Sequence, residues 1–211
     1  RAPLAEGANI LGAHIDSPRL DLKQNPLYES NGFAFLDTHY YGGIKHYQWV
    51  TLPLALHGVV AKTDGTVVDV NVGDDAGDPV FCVTDLLPHL GNQQMAKKGS
   101  EVVEGENLDV LIGNRPLVVE SADDASDEEK EAAKEPVKAF ALKLLEEKYG
   151  ITEEDFLSAE IEVVPAGRAR ELGFDRSMVI GYGQDDRVCA YTSLEAQLAI
   201  ETPKKTAVTV L

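Results

Sequence analysis

The stretch Asn9–Lys23, NILGAHIDSPRLDLK, constrains this chain more than any other. Its apolar run Ile10-Leu11-Gly12-Ala13 reads as a short buried strand. The run ends in His14-Ile15-Asp16, and Ser17-Pro18 follows at once, a dipeptide that stops a strand. Residues two apart on a strand share a face, so His14 and Asp16 are expected to point the same way at its exposed end. A neutral imidazole is a good zinc ligand, and a neighbouring carboxylate fixes its tautomer and raises its basicity. The same pair also reads as a surface histidine beside a solvated aspartate, and the motif alone leaves both open.

Beyond Pro18 the pattern is uneven. Residues 19–43 alternate apolar and polar around the turn signals Asn25-Pro26 and Asn31-Gly32, which predicts extended chain. Asp64-Gly65 between Leu54–Ala61 and Val67–Val72 is a hairpin signal. Asp74–Pro79 is an acidic turn without the ligand spacing of an EF-hand loop. Strands are expected over Pro79–Val83, Leu108–Ile112, Leu117–Glu120 and Ile161–Pro165, with a short helix from Asp85. Ser121–Glu135 has no apolar face and reads as a solvated loop. Pro136 opens an amphipathic helix whose Val137, Phe140, Ala141, Leu144 and Leu145 fall at helical spacing, with Gly150 past its end. A second short helix is expected from Thr152. The strand Met178–Gly183 runs into Gln184-Asp185-Asp186-Arg187, a helix follows over Val188–Ile200, and Thr202–Leu211 begins another strand. The two ends thus alternate strand, acidic turn and helix as an α/β sheet does, and the middle is strand-rich, as an inserted domain is.

The chain is long enough for one large domain, or a domain with a sizeable insert. Its net charge of −17 argues against nucleic acid or an anionic membrane as partner, because phosphate binding needs clustered Lys and Arg. No apolar run approaches the roughly 20 residues that span a bilayer. Cys82 and Cys189 make no disulfide framework, and both sit in apolar runs, so buried thiols and a cytoplasmic location are expected. The run Val208–Leu211 at the chain's end looks like a strand left unfinished, which leads us to expect a fragment of a longer protein.

Asp185 lies where a strand gives way to a helix, the place where open α/β sheets hold ligands. A carboxylate there, facing His14, makes half of a two-metal site of the kind that holds ions roughly 3.5–4 Å apart and activates water. Asp185 and Asp186 read equally well as a helix N-cap, a position that favours Asp.

GAHIDSPRLDLK, the Tyr40–Trp49 stretch, DLLPHL and DDRVCAYTSL together resemble the aspartyl aminopeptidase (aminopeptidase I) family of dinuclear zinc metallopeptidases, in its bacterial branch. The motifs occur in the family's order over nearly the whole chain. The resemblance implies a zinc-exopeptidase-type α/β catalytic domain, of which residues 1–18 and 172–211 are parts, with a large strand-rich α+β dimerisation domain inserted over 19–171. It implies that His14 is a metal ligand, that Asp16 orients it and supports catalysis, and that Asp185 bridges two zinc ions, with Asp186 the second choice. Cobalt or manganese can replace zinc at such donors. His89 resembles the histidine that the insert sends toward a neighbouring subunit's active site; it also reads as a residue packing a helix start. His39, His46 and His57 match no catalytic position.

The implied activity is removal of an N-terminal residue, acidic in the family's namesake preference, from peptides by a homo-oligomer, dimeric and further assembled up to dodecamers. The resemblance also implies a Glu-Glu pair holding the general base and a metal ligand, then a later Asp and His. None of these is in the chain, so the polypeptide as it stands is expected to be inactive. The rival readings are a non-catalytic oligomerisation or interaction module and a related zinc carboxypeptidase or deacylase.

Overall fold

The computed structural model describes residues 3–118, 130 and 132–211. In chain order the strands are β1 (Ala8–Gly12), β2 (Arg19–Ser30), β3 (Phe33–Tyr41), β4 (Leu54–Ala61), β5 (Val67–Val72) and β6 (Cys82–Val83). They continue with β7 (Val110–Gly113), β8 (Ala159–Pro165), β9 (Arg170–Leu172), β10 (Met178–Ile180) and β11 (Thr206–Val210). The described α-helices are α1 (Asn92–Met95), α2 (Pro136–Tyr149) and α3 (Gln184–Leu198). These elements form two compact units, Arg19–Arg168 and the pair of segments Arg1–Pro18 and Ala169–Leu211.

In the Arg19–Arg168 unit two hairpins organise the sheet. Asn31-Gly32, both at positive φ, turn β2 into β3, and the Asp64-Gly65 turn joins β4 to β5. Antiparallel pairing then gives seven strands in the order β5-β4-β8-β2-β3-β7-β6. Leu20, Leu54, Val60, Leu108, Val110 and Val163 are completely buried on it, each worth about 1.5–3 kcal/mol of transfer free energy. Asn25-Pro26, expected as a turn, lies inside β2, where the register against β3 shifts between Leu22 and Leu27. Proline has no N–H for the ladder, and an irregular register accommodates it.

Helix α2 lies against the sheet and ends at Gly150, which adopts φ 64°. Its first turn is capped from a distant strand: Glu29 Oε2 accepts hydrogen bonds from the Val137 and Lys138 N–H groups at 2.8 and 3.1 Å. Thr152 and Asp155 open the expected short helix, which is a 3₁₀ helix over Glu154–Ser158. An apolar cleft of about 650 Å³ lies between sheet and helix, lined by Leu36, Leu56, Val70, Phe140, Leu144 and Ile161 among others.

Other expectations change here. The segment from Asp85 is not a helix start: Asp85–Leu87 is irregular, Pro88–Leu90 is a turn, and helix begins only at Asn92. Asp85 instead accepts hydrogen bonds from the Leu86 N–H and the Gln94 amide, both at 2.8 Å, which folds the segment back on itself. Leu117 and Val118 are not strand, and the rest of the expected Leu117–Glu120 strand lies outside the described residues. Most of the charge-rich Ser121–Glu135 segment does too.

In the other unit β1 pairs with β11 in parallel, Ala8 opposite Thr206 through Gly12 opposite Val210, and β9 and β10 form an antiparallel pair. The strand expected to be buried is not: Ile10 is 68% exposed, because burial depends on what covers a strand's face and among the described residues little covers this one. Helix α3 buries Ala190 but leaves Val188, Tyr191, Leu194 and Leu198 exposed. The buried thiols also fail to appear, since Cys189 is exposed on α3 and Cys82 is half-buried; both are free. Among the described residues no helix is long and apolar enough to cross a membrane.

Candidate metal centre

Strand β1 ends at Gly12, so His14 and Asp16 stand on the loop beyond it rather than on one strand face. The loop brings them together all the same. His14 Nδ1 lies 3.1 Å from the Asp16 carbonyl oxygen and 3.3 Å from Asp16 Oδ1. A proton on Nδ1 is donated to Asp16, which turns the lone pair of Nε2 outward.

What Nε2 faces comes from the far end of the unit. Gly183, at φ 83°, turns the chain from β10 into α3. Asp185 and Asp186 follow with non-helical dihedrals, joined by a cis peptide bond. His14 Nε2 is 3.1 Å from Asp185 Oδ1 and 3.9 Å from Asp186 Oδ2. The Asp185 side chain is 90% exposed and that of Asp186 only 19%. Asp186 is also engaged by the Cys189 thiol, which its carboxylate holds above the ordinary cysteine range. Of the two carboxylates, Asp185 is therefore the one open to a ligand.

Hydrogen bonding to the Asp16 backbone raises the His14 imidazole above the usual histidine range; desolvation opposes it, and the Asp186, Asp16 and Asp185 carboxylates add to the rise. A site that favours a proton through surrounding carboxylates also favours a divalent cation at the same nitrogen. Two donors bound about 2.0–2.2 Å from one tetrahedral ion lie about 3.3 Å apart, and the 3.1 Å between Nε2 and Oδ1 fits such a shared ion. Among the described residues, however, no group of three or more His, Cys, Asp or Glu side chains converges to hold a metal. His14 and Asp185 make a partial donor set.

Two further contacts join the same segments. The buried Ser17 hydroxyl donates to the Asp185 carbonyl at 3.2 Å, and the Tyr182 hydroxyl donates to the Pro18 carbonyl at 2.8 Å. Neither contact is visible in the sequence: Ser17-Pro18 signals only the stop of a strand, and nothing local to Tyr182 marks its distant acceptor.

His89 is exposed in the Pro88–Leu90 turn of the Arg19–Arg168 unit. The remaining histidines of that unit make packing and polar contacts. His46 Nδ1 is 3.0 Å from the Val103 carbonyl oxygen, His57 Nε2 is 3.1 Å from Asp74 Oδ2, and His39 stacks on Tyr40.

A family model described as aminopeptidase I zinc metalloprotease (M18) matches residues 2–211. The chain belongs to the aminopeptidase I (M18) family. Within it, the chain is 61% identical over 211 residues to the probable M18 family aminopeptidase 1 of Clostridium acetobutylicum, covering 100% of this chain and 43% of that protein. The crystal structure of aminopeptidase I from the same organism superposes at a TM-score of 0.87 with 59% identity, over 99% of this chain and 43% of its own. The chain thus spans less than half the length of these M18 relatives. The S. cerevesiae mApe1 dodecamer, 16% identical at a TM-score of 0.61 over 98% of this chain and 44% of its own, shares the fold. The α/β class expected from the sequence agrees with these neighbours.

Proposed function

We propose that this chain is part of a zinc-dependent aminopeptidase that removes the N-terminal residue from peptides, with acidic residues among its substrates. The observation that carries the reading is the approach of His14 Nε2 to Asp185 Oδ1 at 3.1 Å, with Nδ1 tied to Asp16, in a chain that the M18 family model matches throughout. In this reading His14 and Asp185 hold metal, Asp185 bridging two ions, and Asp16 keeps the His14 proton on Nδ1 so that Nε2 can ligate. Zinc is the expected metal, with cobalt or manganese able to substitute. When bound, the metal pair supplies an activated water and polarises the scissile carbonyl. The rest of the donor set and the general base belong to the portion of the family's length that this chain does not span.

Residues 1–18 and 172–211 then belong to the catalytic domain, and 19–171 form the inserted dimerisation domain. The two compact units support this division. His89, on an exposed turn, serves a neighbouring subunit's active site in a homo-oligomer, dimeric and further assembled. The exposed apolar side chains of β1 and α3 support a setting in which more polypeptide covers them. The free thiols of Cys82 and Cys189 suit the reducing cytoplasm.

The test is a thermal shift with zinc on the complete protein and its His14→Ala variant. A ligand that binds only the folded state stabilises by about 2.7 kcal/mol at a hundredfold excess over Kd. Zinc should raise Tm in the parent and lose most of that effect in the variant. An undiminished zinc effect in His14→Ala would sink the reading.

A further inference from the structure

We propose that Ser17 and Tyr182 are positioning residues that latch the His14 loop to the Asp185 loop and set the separation of the two metal donors. The inference rests on the metal-centre reading above. His14 and Asp185 come from opposite ends of their unit, so their spacing depends on whatever ties Ala13–Pro18 to Gly181–Asp186.

Two hydrogen bonds do so, and they run in opposite directions. From the first loop, the Ser17 hydroxyl donates to the backbone carbonyl of Asp185 itself, at 3.2 Å. From the second, the Tyr182 hydroxyl donates to the Pro18 carbonyl at 2.8 Å. Ser17 is one of the few polar residues buried in the described structure, at 6% exposure. A buried hydroxyl is costly unless hydrogen-bonded, so its bond to Asp185 persists and fixes the peptide from which that carboxylate projects.

Gly183 completes the latch. A Cβ at this residue would lie 3.2 Å from Ser17 Oγ and 3.4 Å from Arg187 Nε, and its φ of 83° disfavours any other residue. The second loop therefore passes against the serine with no side chain between them. Ser17 and Tyr182 direct their hydroxyl protons to backbone carbonyls. Their effect on the metal runs through the placement of His14 and Asp185, as for groups that orient a ligand.

Zinc titration against a competing chelator tests this on the complete protein, with wild type, His14→Ala, Ser17→Ala, Ser17→Thr and Tyr182→Phe side by side. Ser17→Ala should weaken zinc about 10-fold, the low end for groups that orient ligands. Ser17→Thr, which keeps the hydroxyl, should recover most of that loss, and Tyr182→Phe should weaken zinc several-fold. Zinc-free melting curves identify a variant that fails to fold; should Ser17→Ala do so, the Tyr182→Phe and Ser17→Thr titrations decide. Wild-type affinity in the folded Ser17 and Tyr182 variants, beside a loss in His14→Ala, overturns the latch and leaves the metal centre standing. Undiminished zinc binding in His14→Ala overturns the metal centre and the latch with it.

Discussion

His14 Nε2 lies 3.1 Å from Asp185 Oδ1, although the two residues stand near opposite ends of the chain and the whole Arg19–Arg168 unit intervenes between them in sequence. The imidazole reaches that carboxylate from a loop that follows one strand, and the carboxylate sits in the turn between another strand and a helix. Parallel pairing of β1 with β11 is what makes the ends of the sequence neighbours.

Asp16 holds Nδ1 of this imidazole through both its carbonyl and its carboxylate. Replacing it with alanine removes the carboxylate but keeps the carbonyl that accepts from Nδ1, so zinc affinity should fall about 10-fold, the low end for groups that orient ligands. Competition with a chromogenic chelator measures the change. Unaltered affinity would show that the carboxylate contributes nothing to the metal.

His89 gives a prediction about assembly. His89→Ala should leave the zinc-dependent thermal shift intact and lower kcat/KM about 100-fold, a typical loss for one group that stabilises charge in the transition state. If the histidine serves a neighbouring subunit, mixing the impaired His89→Ala and His14→Ala subunits should restore part of the activity. Mixed oligomers with no more activity than either parent would place His89 outside any shared site.

Asp155 accepts hydrogen bonds from the Thr152 N–H and hydroxyl at 2.8 and 2.9 Å. The bond from the Thr152 backbone, helped by the one from its side chain, holds the Asp155 carboxyl below the usual aspartate range despite desolvation. A carboxyl lowered in the folded state stabilises above its unfolded pKa, near 3.9, and loses that contribution as pH falls through the lower folded value. Asp155→Ala should therefore cost about 0.5–1 kcal/mol at pH 7, the small value expected of an exposed cap. The cost should shrink as pH falls below about 4. Urea unfolding from pH 7 to pH 3 reads it out, and a cost independent of pH would contradict the assignment.

Gly58 sits in β4 opposite Ile161 of β8, within a continuous antiparallel register that runs from Leu54 to Val60. A Cβ there would overlap the Glu160 carbonyl oxygen and come within 2.7 Å of Ile161 Cα. Backbone atoms cannot swing aside as a side chain can, so Gly58→Ala must part the two strands. We expect a loss of 3 kcal/mol or more, beyond ordinary overpacking of about 1–3 kcal/mol. A fall in Tm of less than about 3 °C would show that the strands adjust freely.

Much of this was legible in the linear sequence because it rests on local chemistry. Asn31-Gly32 and Asp64-Gly65 each required a tight turn, and the alternating residues beside them could only extend. Pro136 and Gly150 bounded α2 because one tolerates a first turn without an N–H and the other tolerates positive φ. The motifs around His14 and Asp185 marked the family for the same reason: short stretches carry them whole.

Local chemistry misled where a distant partner decided the outcome. Pro26 looked like a turn residue and was absorbed into an irregularity of β2 that exists only because β3 lies alongside. Cys189 and Ile10 looked buried because their neighbours are apolar, yet burial depends on what packs against a run, and among the described residues little does. The Glu29 cap on α2 and the Ser17 bond to Asp185 join residues far apart in sequence, so no spacing rule announces either. The amino-acid sequence alone determined the turns, the periodicity of strands and helices, and the residue types able to hold a metal. Only the tertiary structure decided that His14 would lie 3.1 Å from Asp185, because that distance is set by strand pairing and by hydrogen bonds between loops from opposite ends of the chain.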